Sequence, residues 1–320
     1  MSRQSGPTIK DVARLADVSI ATVSRVINHN GYISPKTNKS VQDAIKQLGY
    51  RLPRHLRDQH QTEKRIEVIL PSITNPLYAE LYEYIEQRMT EENYKAFLHF
   101  DKGDEHALDD YVMDIKHGTV AGVIVSSPLK TVGTINYDNL PIITFDRYID
   151  KIPLVKCDNL EGGKKIAEKV LSLGKKKILI LSGNRQDFYP LNNRIKGMLS
   201  VFNTYNIDVE TNYINFVSAP IERRIQITQA ITQPKYDAIC CTDDITALLV
   251  KDWTVKLGYQ PLVTGFDGSS FIQNFFPDLI TVRQPTEEIA KLLCDLLIEK
   301  INHPSHHFER EYLLPVTLLD

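Results

Sequence analysis

The sequence predicts an α/β protein: two doubly wound parallel-sheet lobes preceded by a small three-helix helix-turn-helix domain. Three observations carry this expectation. From Arg65 onward, apolar runs of strand length, rich in β-branched residues, alternate with amphipathic helical stretches. That is the pattern of a parallel sheet covered on both faces. The alternation continues over roughly 250 residues, more than one sheet usually needs, so two lobes are expected. Ahead of it, Asp11 to Asn28 (DVARLADVSIATVSRVIN) reads as two short helices joined by a turn at Asp17-Val18-Ser19, a motif whose second helix fits the major groove of DNA.

The head spans residues 1–50. Thr8 opens its first helix as N-cap, with Asp11 completing a capping box. Ile9, Val12, Leu15 and Ala16 form one apolar stripe. Ser19 caps the second helix and Val23, Val26 and Ile27 face inward, which leaves Ile20, Ala21, Ser24 and Arg25 pointing away. A third helix starts at Ser34-Pro35, buries Val41, Ala44, Ile45 and Leu48, and stops at Gly49. Residues 51–63 are basic and polar, a hinge or linker in which Arg51, Arg54 and Arg57 recur every third residue.

Residues 64–320 form the core. Its expected strands are IEVILP, KAFLHF, AGVIVSS, PIITFD, KKILILS, YINFV, DAICCT, LVTGFD and DLITVRQ. Between them run helices such as Leu77–Glu92, Gly162–Leu173, Leu191–Tyr205, Asp243–Leu257 and Thr286–Ile301. Lobe one takes 64–157 plus 286–310, and lobe two takes 158–285 plus 311–320.

Charge is divided unevenly. The first 60 residues hold ten Lys/Arg against four Asp/Glu, and the remaining 260 hold 28 against 36. A basic head on an acidic body means that the head alone meets the phosphate backbone. The four cysteines (Cys157, Cys240, Cys241, Cys294) show no C-x-x-C spacing and read as buried free thiols. No apolar signal region or membrane-length run is present, so the protein is expected in the cytoplasm. Phosphate-loop, dinucleotide and nucleophile-elbow motifs are missing, which argues against an enzyme and against a cofactor. His303, His306 and His307 beside Pro304 read as a solvated loop, and no metal site is expected.

Open parallel sheets bind ligands beyond the carboxyl ends of their strands. The residues there are Ser72 to Tyr78, Ser126-Ser127, Asp146-Arg147, Asp158-Asn159, Gly183-Asn184, Thr242-Asp243-Asp244, Asp267-Gly268 and Arg283-Gln284. Any one of them reads first as a helix cap or a turn. Their recurrence at nearly every strand end points to a small polar ligand held through hydroxyls.

TIKDVARLADVSIATVSRVIN, the Ser-Pro-Lys-Thr helix start and LGY at Leu48–Tyr50 resemble the DNA-binding head of the LacI/GalR repressors. VTGFDG, with Asp267, and ITVRQP at Ile280–Pro285 are similar to that family's effector-binding, periplasmic-binding-protein-like core. Within the family, ITFDRYIDKIPLVKCDNLEGG (Ile143–Gly163) is most similar to the sucrose- and ribose-responsive members.

The resemblance implies a homodimer that binds operator DNA and is released by a sugar or sugar phosphate, with no membrane partner. By the same resemblance Ile20, Ala21 and Arg25 face base edges, Arg25 against guanine. Thr8, Ser19, Thr22, Ser24, Asn28 and Tyr50 contact the DNA backbone. Arg54, Leu56 and Arg57 belong to the hinge at the minor groove. Effector-binding positions are Asn75, Leu77, Tyr78, Asp146, Arg147, Arg194, Asp267 and Gln284, with the strand-end residues Ser127 and Thr242 added.

Two departures stand out. Gln59 occupies the place of the Leu that usually wedges into the minor groove, leaving Leu56 as a substitute. Thr242 stands where ribose- and galactose-type relatives carry Asn. Two further readings stay open at this level: the same DNA-binding role with a protein co-regulator, and a sugar-active enzyme with a regulatory head.

Overall fold

The computed structural model describes residues 7–27, 33–48, 64–100, 107–126, 137–149, 151–183, 190–214, 220–232 and 235–320. The chain divides into two compact units, Met1–Glu63 and Lys64–Asp320.

The first unit holds helices α1 (Ile9–Leu15), α2 (Ile20–Ile27) and α3 (Pro35–Leu48). At α1 the Asp11 carboxylate accepts both the amide (2.8 Å) and the hydroxyl (2.6 Å) of Thr8. The Ser19 and Ser34 hydroxyls accept the amides of Thr22 (3.0 Å) and Thr37 (3.1 Å), capping α2 and α3. Val12, Ala13, Ala16, Val23, Val26, Val41 and Ala44 close the core, with Ile9, Ile45 and Leu48 packed against it. Leu15 is exposed, contrary to the expected stripe. It lies six residues after Ile9, whereas the buried set Ile9, Val12, Ala13 and Ala16 follows the spacing 0, 3, 4, 7 that stays on one helix face. The side chain of Ile27 lies outside the described residues.

In the second unit, lobe one begins with β1 (Lys64–Leu70), α4 (Pro76–Glu91), β2 (Tyr94–Phe100), α5 (Ala107–His117), β3 (Gly122–Val125), β4 (Ile142–Phe145) and β5 (Leu154–Cys157). The chain then enters lobe two through α6 (Asn159–Ser172), β6 (Lys177–Ser182), α7 (Asn192–Thr204), β7 (Asp208–Tyr213) and α8 (Pro220–Thr232). Lobe two continues with β8 (Ala238–Cys241), α9 (Asp244–Lys256), β9 (Leu262–Thr264), α10 (Ser270–Phe275) and β10 (Thr281–Arg283). Finally α11 (Thr286–Asn302) and β11 (Glu311–Leu314) return to lobe one, and β12 (Thr317–Leu319) goes back to lobe two.

The lobe-one sheet runs β11-β5-β4-β3-β1-β2, parallel throughout. In lobe two a parallel sheet runs β7-β6-β8-β9, and β10 pairs antiparallel with β12. Bridges from Thr264 to Ile280 and from Asp267 to Arg283 join the two groups. The central strands β3, β4 and β8 are buried along their whole length, as expected of β-branched runs covered on both faces.

Two expectations need correcting. Glu311–Leu314 belongs to lobe one, because it pairs with Leu154–Cys157 in register, whereas residues 311–320 had all been placed in lobe two. Its alternating pattern suits an exposed sheet edge, so the apolar content does not reveal which sheet it joins. A strand not among those expected runs over Asp208–Tyr213, and of YINFV all but Tyr213 and Ile214 lies outside the described residues. As an edge strand, Asp208–Tyr213 alternates between exposed and half-buried residues and lacks a continuous apolar run.

No described helix is long and apolar enough to cross a membrane. All four cysteines are free and buried, and burial raises the thiols of Cys240 and Cys294 to about 12. Among the described residues no three potential ligands are grouped to hold a metal.

Helices α6 and α7 cross through two glycines. A Cβ on Gly163 would stand 2.1 Å from the Arg194 carbonyl oxygen, and one on Gly197 2.1 Å from that of Leu160. Backbone leaves no room for either, so Gly197→Ala must push the helices apart. The expected cost is about 1–3 kcal/mol, read as a melting temperature several degrees lower with unchanged helical circular dichroism. An unchanged melting temperature would show that the crossing is not tight.

Candidate functional site

Two sites emerge, one in each unit. In the first, Asp17 takes a left-handed backbone (φ 52°) and turns the chain between α1 and α2. The Val18 amide donates to the Ala13 carbonyl (3.0 Å), which closes α1. Val23 and Val26 anchor α2 from beneath, and Ile20, Ala21 and Arg25 are exposed on the opposite side. A short, small-residue helix with one guanidinium at its outer face has the dimensions and donors for major-groove contact. Ser19 and Thr22, expected at DNA phosphates, share a hydroxyl contact of 2.8 Å. Ser24 is half-buried. Asn28, Tyr50, Arg54, Leu56 and Arg57 lie outside the described residues, as does Gln59 at the wedge position.

The second site lies where strands of the two lobes end. Its centre is Arg194, on the first turn of α7 and only 2% exposed. Its Nη1 donates to the Asp267 carboxylate (3.1 Å) and the Thr242 carbonyl (2.6 Å), and its Nε to the Asn159 amide oxygen (2.7 Å). The Phe266 ring lies under the guanidinium at 3.7 Å, a cation–π contact that supports a buried charge. Asp267 also accepts from Gln284 Nε2 (2.8 Å) and, across the lobes, from Asn75 Nδ2 (3.0 Å). The other amide atom of Asn75, Oδ1, accepts the Leu77 amide and caps α4.

Asp146 follows β4 in a left-handed conformation (φ 52°). Asn159 Nδ2 reaches the Asp146 carboxylate at 3.4 Å, and Arg147 Nη1 donates to the Asp146 carbonyl at 3.0 Å. Burial raises the Asp146 pKa, against the pull of Arg194 and Arg147. Tyr78 is half-buried, and its phenol is raised by burial within electrostatic reach of Arg147, Asp267, Asp146 and Arg194. Leu77 instead continues the buried stripe of Leu81, Ile85 and Met89. The amide oxygen of Gln284, a fully buried residue, has no hydrogen-bond partner among the described residues.

The structure therefore joins Asn75, Arg194, Thr242, Asp267 and Gln284 by direct hydrogen bonds. It brings in Asp146 and Arg147 through Asn159 and the backbone, while Ser127 lies outside the described residues. Asn159 and Phe266 were missed as site residues. Asn159 was visible as a strand-end residue, but its bond to a side chain 35 positions away left no local mark.

This cluster offers carboxylate acceptors and amide and guanidinium donors, and among the described residues it holds no nucleophile–base pair. Groups of this kind, converging and buried, can hold a polar ligand. A DNA-reading helix domain on the same chain as this cleft defines a ligand-responsive transcription regulator. Family comparison gives the assignment. Residues 8–52 match the model for bacterial regulatory proteins of the lacI family, and residues 66–304 match a periplasmic binding protein domain. The chain is 36% identical to the sucrose operon repressor of Lactococcus lactis subsp. lactis, across 97% of this chain and 98% of that one. Among solved structures, a periplasmic binding protein/LacI transcriptional regulator from Alkaliphilus metalliredigens, complexed with D-xylulofuranose, is similar with TM-score 0.68 and 25% identity. That match covers 80% of this chain and 97% of the other. The lac repressor dimer bound to operator and the anti-inducer ONPF shares the fold with TM-score 0.67 and 22% identity, over 99% and 98%. The chain belongs to the LacI family: it is a DNA-binding transcription regulator, not an enzyme.

Removing Asp267 strips the buried Arg194 of its counter-charge, which typically costs about 3–5 kcal/mol. Asp267→Ala should therefore move the urea midpoint of the full chain sharply downward, and a midpoint within error of wild type would refute the pairing. At the other site, Arg25→Ala is expected to erase selectivity for operator over scrambled duplex. Weak binding that falls steeply with salt should remain. A wild-type footprint from that variant would show that Arg25 is not the reader.

Proposed function

We propose that the protein represses a carbohydrate-utilisation operon of the sucrose/fructose type and is released from its operator by an uncharged sugar. The observation that carries this is the Arg194–Asp267 network with Asn75, Asn159 and Gln284 around it. Paired donors and acceptors of this kind suit the vicinal hydroxyls of a sugar ring. The sucrose operon repressor of L. lactis at 36% identity and the D-xylulofuranose complex at 25% support a furanose-sized carbohydrate.

Charge favours a neutral ligand over a phosphate ester. Asp146 and Asp243 each interact electrostatically with Arg194 and Asp267, and Asp146 also with Arg147, so both guanidiniums already have carboxylates near them. The Arg194 guanidinium is already engaged by a carboxylate, a carbonyl and an amide oxygen. A phosphate dianion placed here has to compete with the Asp267 carboxylate for a guanidinium that is already bonded to it.

The regulator acts as a homodimer, two heads reading the halves of a near-palindromic operator. Support for a self-associating surface comes from α10 and the residue that follows it, where Phe271, Phe275 and Phe276 are 46%, 66% and 40% exposed. The Phe271 and Phe275 rings pack at 4.8 Å. Exposed aromatic clusters of this kind mark association faces.

Thermal-shift titration of the full chain separates the two ligand classes. Sucrose, fructose or ribose should raise the melting temperature, since a ligand bound only by the native state stabilises it. Their phosphate esters at equal concentration should do less. A shift produced by the esters alone would overturn the neutral-ligand assignment.

A further inference from the structure

The loop after β9 carries Asp267 in a conformation that side-chain-bearing residues rarely adopt, φ 115°, followed by Gly268 at φ 56°. Such a backbone persists only where its surroundings hold it. From lobe two the fixing group is Asp244, a buried residue of α9. Its Oδ2 accepts the Gly268 amide at 2.7 Å and its Oδ1 the Thr281 hydroxyl at 2.6 Å. From lobe one two groups of α4 reach the same loop. Asn75, at the N-cap, donates to the Asp267 carboxylate, and Glu80, five residues later, accepts the Ser270 amide through Oε2 at 2.6 Å.

These two bonds between lobes differ in kind. Asn75 bonds the very carboxylate that a sugar hydroxyl would engage, so a ligand can replace it. Glu80 bonds backbone three residues further on, away from the ligand-facing carboxylate, so its bond can persist while Asp267 changes partners. It joins α4, which packs on lobe one through the buried stripe Leu77, Leu81, Ile85 and Met89, to the segment that must respond when Asp267 takes a ligand.

We propose that Glu80 is a positioning residue that couples effector occupancy to the lobe angle, without itself binding the effector. The proposal rests on the effector reading above. In it, the Glu80–Ser270 bond makes any displacement of the Asp267 loop a displacement of α4. Without that bond the loop adjusts to the ligand locally, and lobe one no longer registers it.

Coupling between two ligands is reciprocal and measured as a ratio of affinities. The full chain would be titrated with sucrose, fructose and ribose, alone and in complex with a duplex that wild type selects from a random library. For Glu80→Ala, affinity of the free protein for the active sugar should stay within about threefold. The ratio between free and operator-bound protein should fall from a wild-type value of about 5–150 towards one. Glu80→Gln keeps an oxygen that accepts the Ser270 amide and should retain most of the coupling.

A second variant removes the same bond from the other lobe. Ser270→Pro deletes the donor at the first position of α10, where proline is tolerated. The preceding Ser269, at φ −58° and ψ 158°, already has the extended backbone that a following proline requires. Loss of coupling in both Glu80→Ala and Ser270→Pro, with sugar binding intact, supports the proposal. Wild-type coupling in either correctly folded variant overturns it. Loss of sugar binding by both would place Glu80 in the binding site and overturn it as well. If none of the three sugars binds wild type, the effector reading fails and takes this inference with it.

Discussion

The core depends on one buried ion pair. Arg194 and Asp267 have side chains 3% and 5% exposed, and a charge removed from water at that depth is costly unless every donor and acceptor finds a partner. Most neighbouring features meet that demand. The Asn159 amide oxygen accepts from Nε and the Thr242 carbonyl from Nη1, and Phe266 covers one face of the guanidinium. Gln284 and Asn75 supply further donors to the carboxylate. Helix α7 comes close enough to place Arg194 because Gly163 and Gly197 remove the side chains that would separate it from α6. Asp267 accepts a strained backbone as part of the same arrangement. Polar cluster, glycine crossing and unusual loop meet at this one pair.

The head has little of this tension. Its core is small and apolar, its helices are capped by Thr8, Ser19 and Ser34, and its outward side chains make few commitments. A cleft that must discriminate between sugars needs fixed, desolvated polar groups. A helix that enters a hydrated groove needs exposed ones, and Ile20, Ala21 and Arg25 are exposed.

What could be read from the sequence follows the range of each interaction. Capping boxes, the α2 face and the fully buried central strands depend on neighbours within a few residues, so Thr8, Val23 and the β3, β4 and β8 runs were legible. The rule that ligands gather at strand ends also found Asp146, Thr242, Asp267 and Gln284, because it needs only the strand boundaries. Edge strands were harder. At β7 and β11 one side faces solvent, apolar content drops, and one strand was missed and the other assigned to the wrong lobe. Least legible were residues whose meaning lies in a distant partner. Asn75 and Asp267 are 192 positions apart, and Glu80 and Ser270 are 190 apart. Asn75 fell within the strand-end run Ser72–Tyr78 and was singled out by the family resemblance; nothing local marked Glu80.

The path of the chain between the lobes also bears on how such a protein can diversify. The chain passes from one lobe to the other three times, after β5, after β10 and between β11 and β12. Lobe two is thus not a contiguous stretch of gene, and exchanging it whole requires three matched breakpoints. The head, by contrast, occupies one uninterrupted run, Met1–Glu63. A single crossover at the boundary between the units would exchange the head whole, whereas exchange of lobe two would need three.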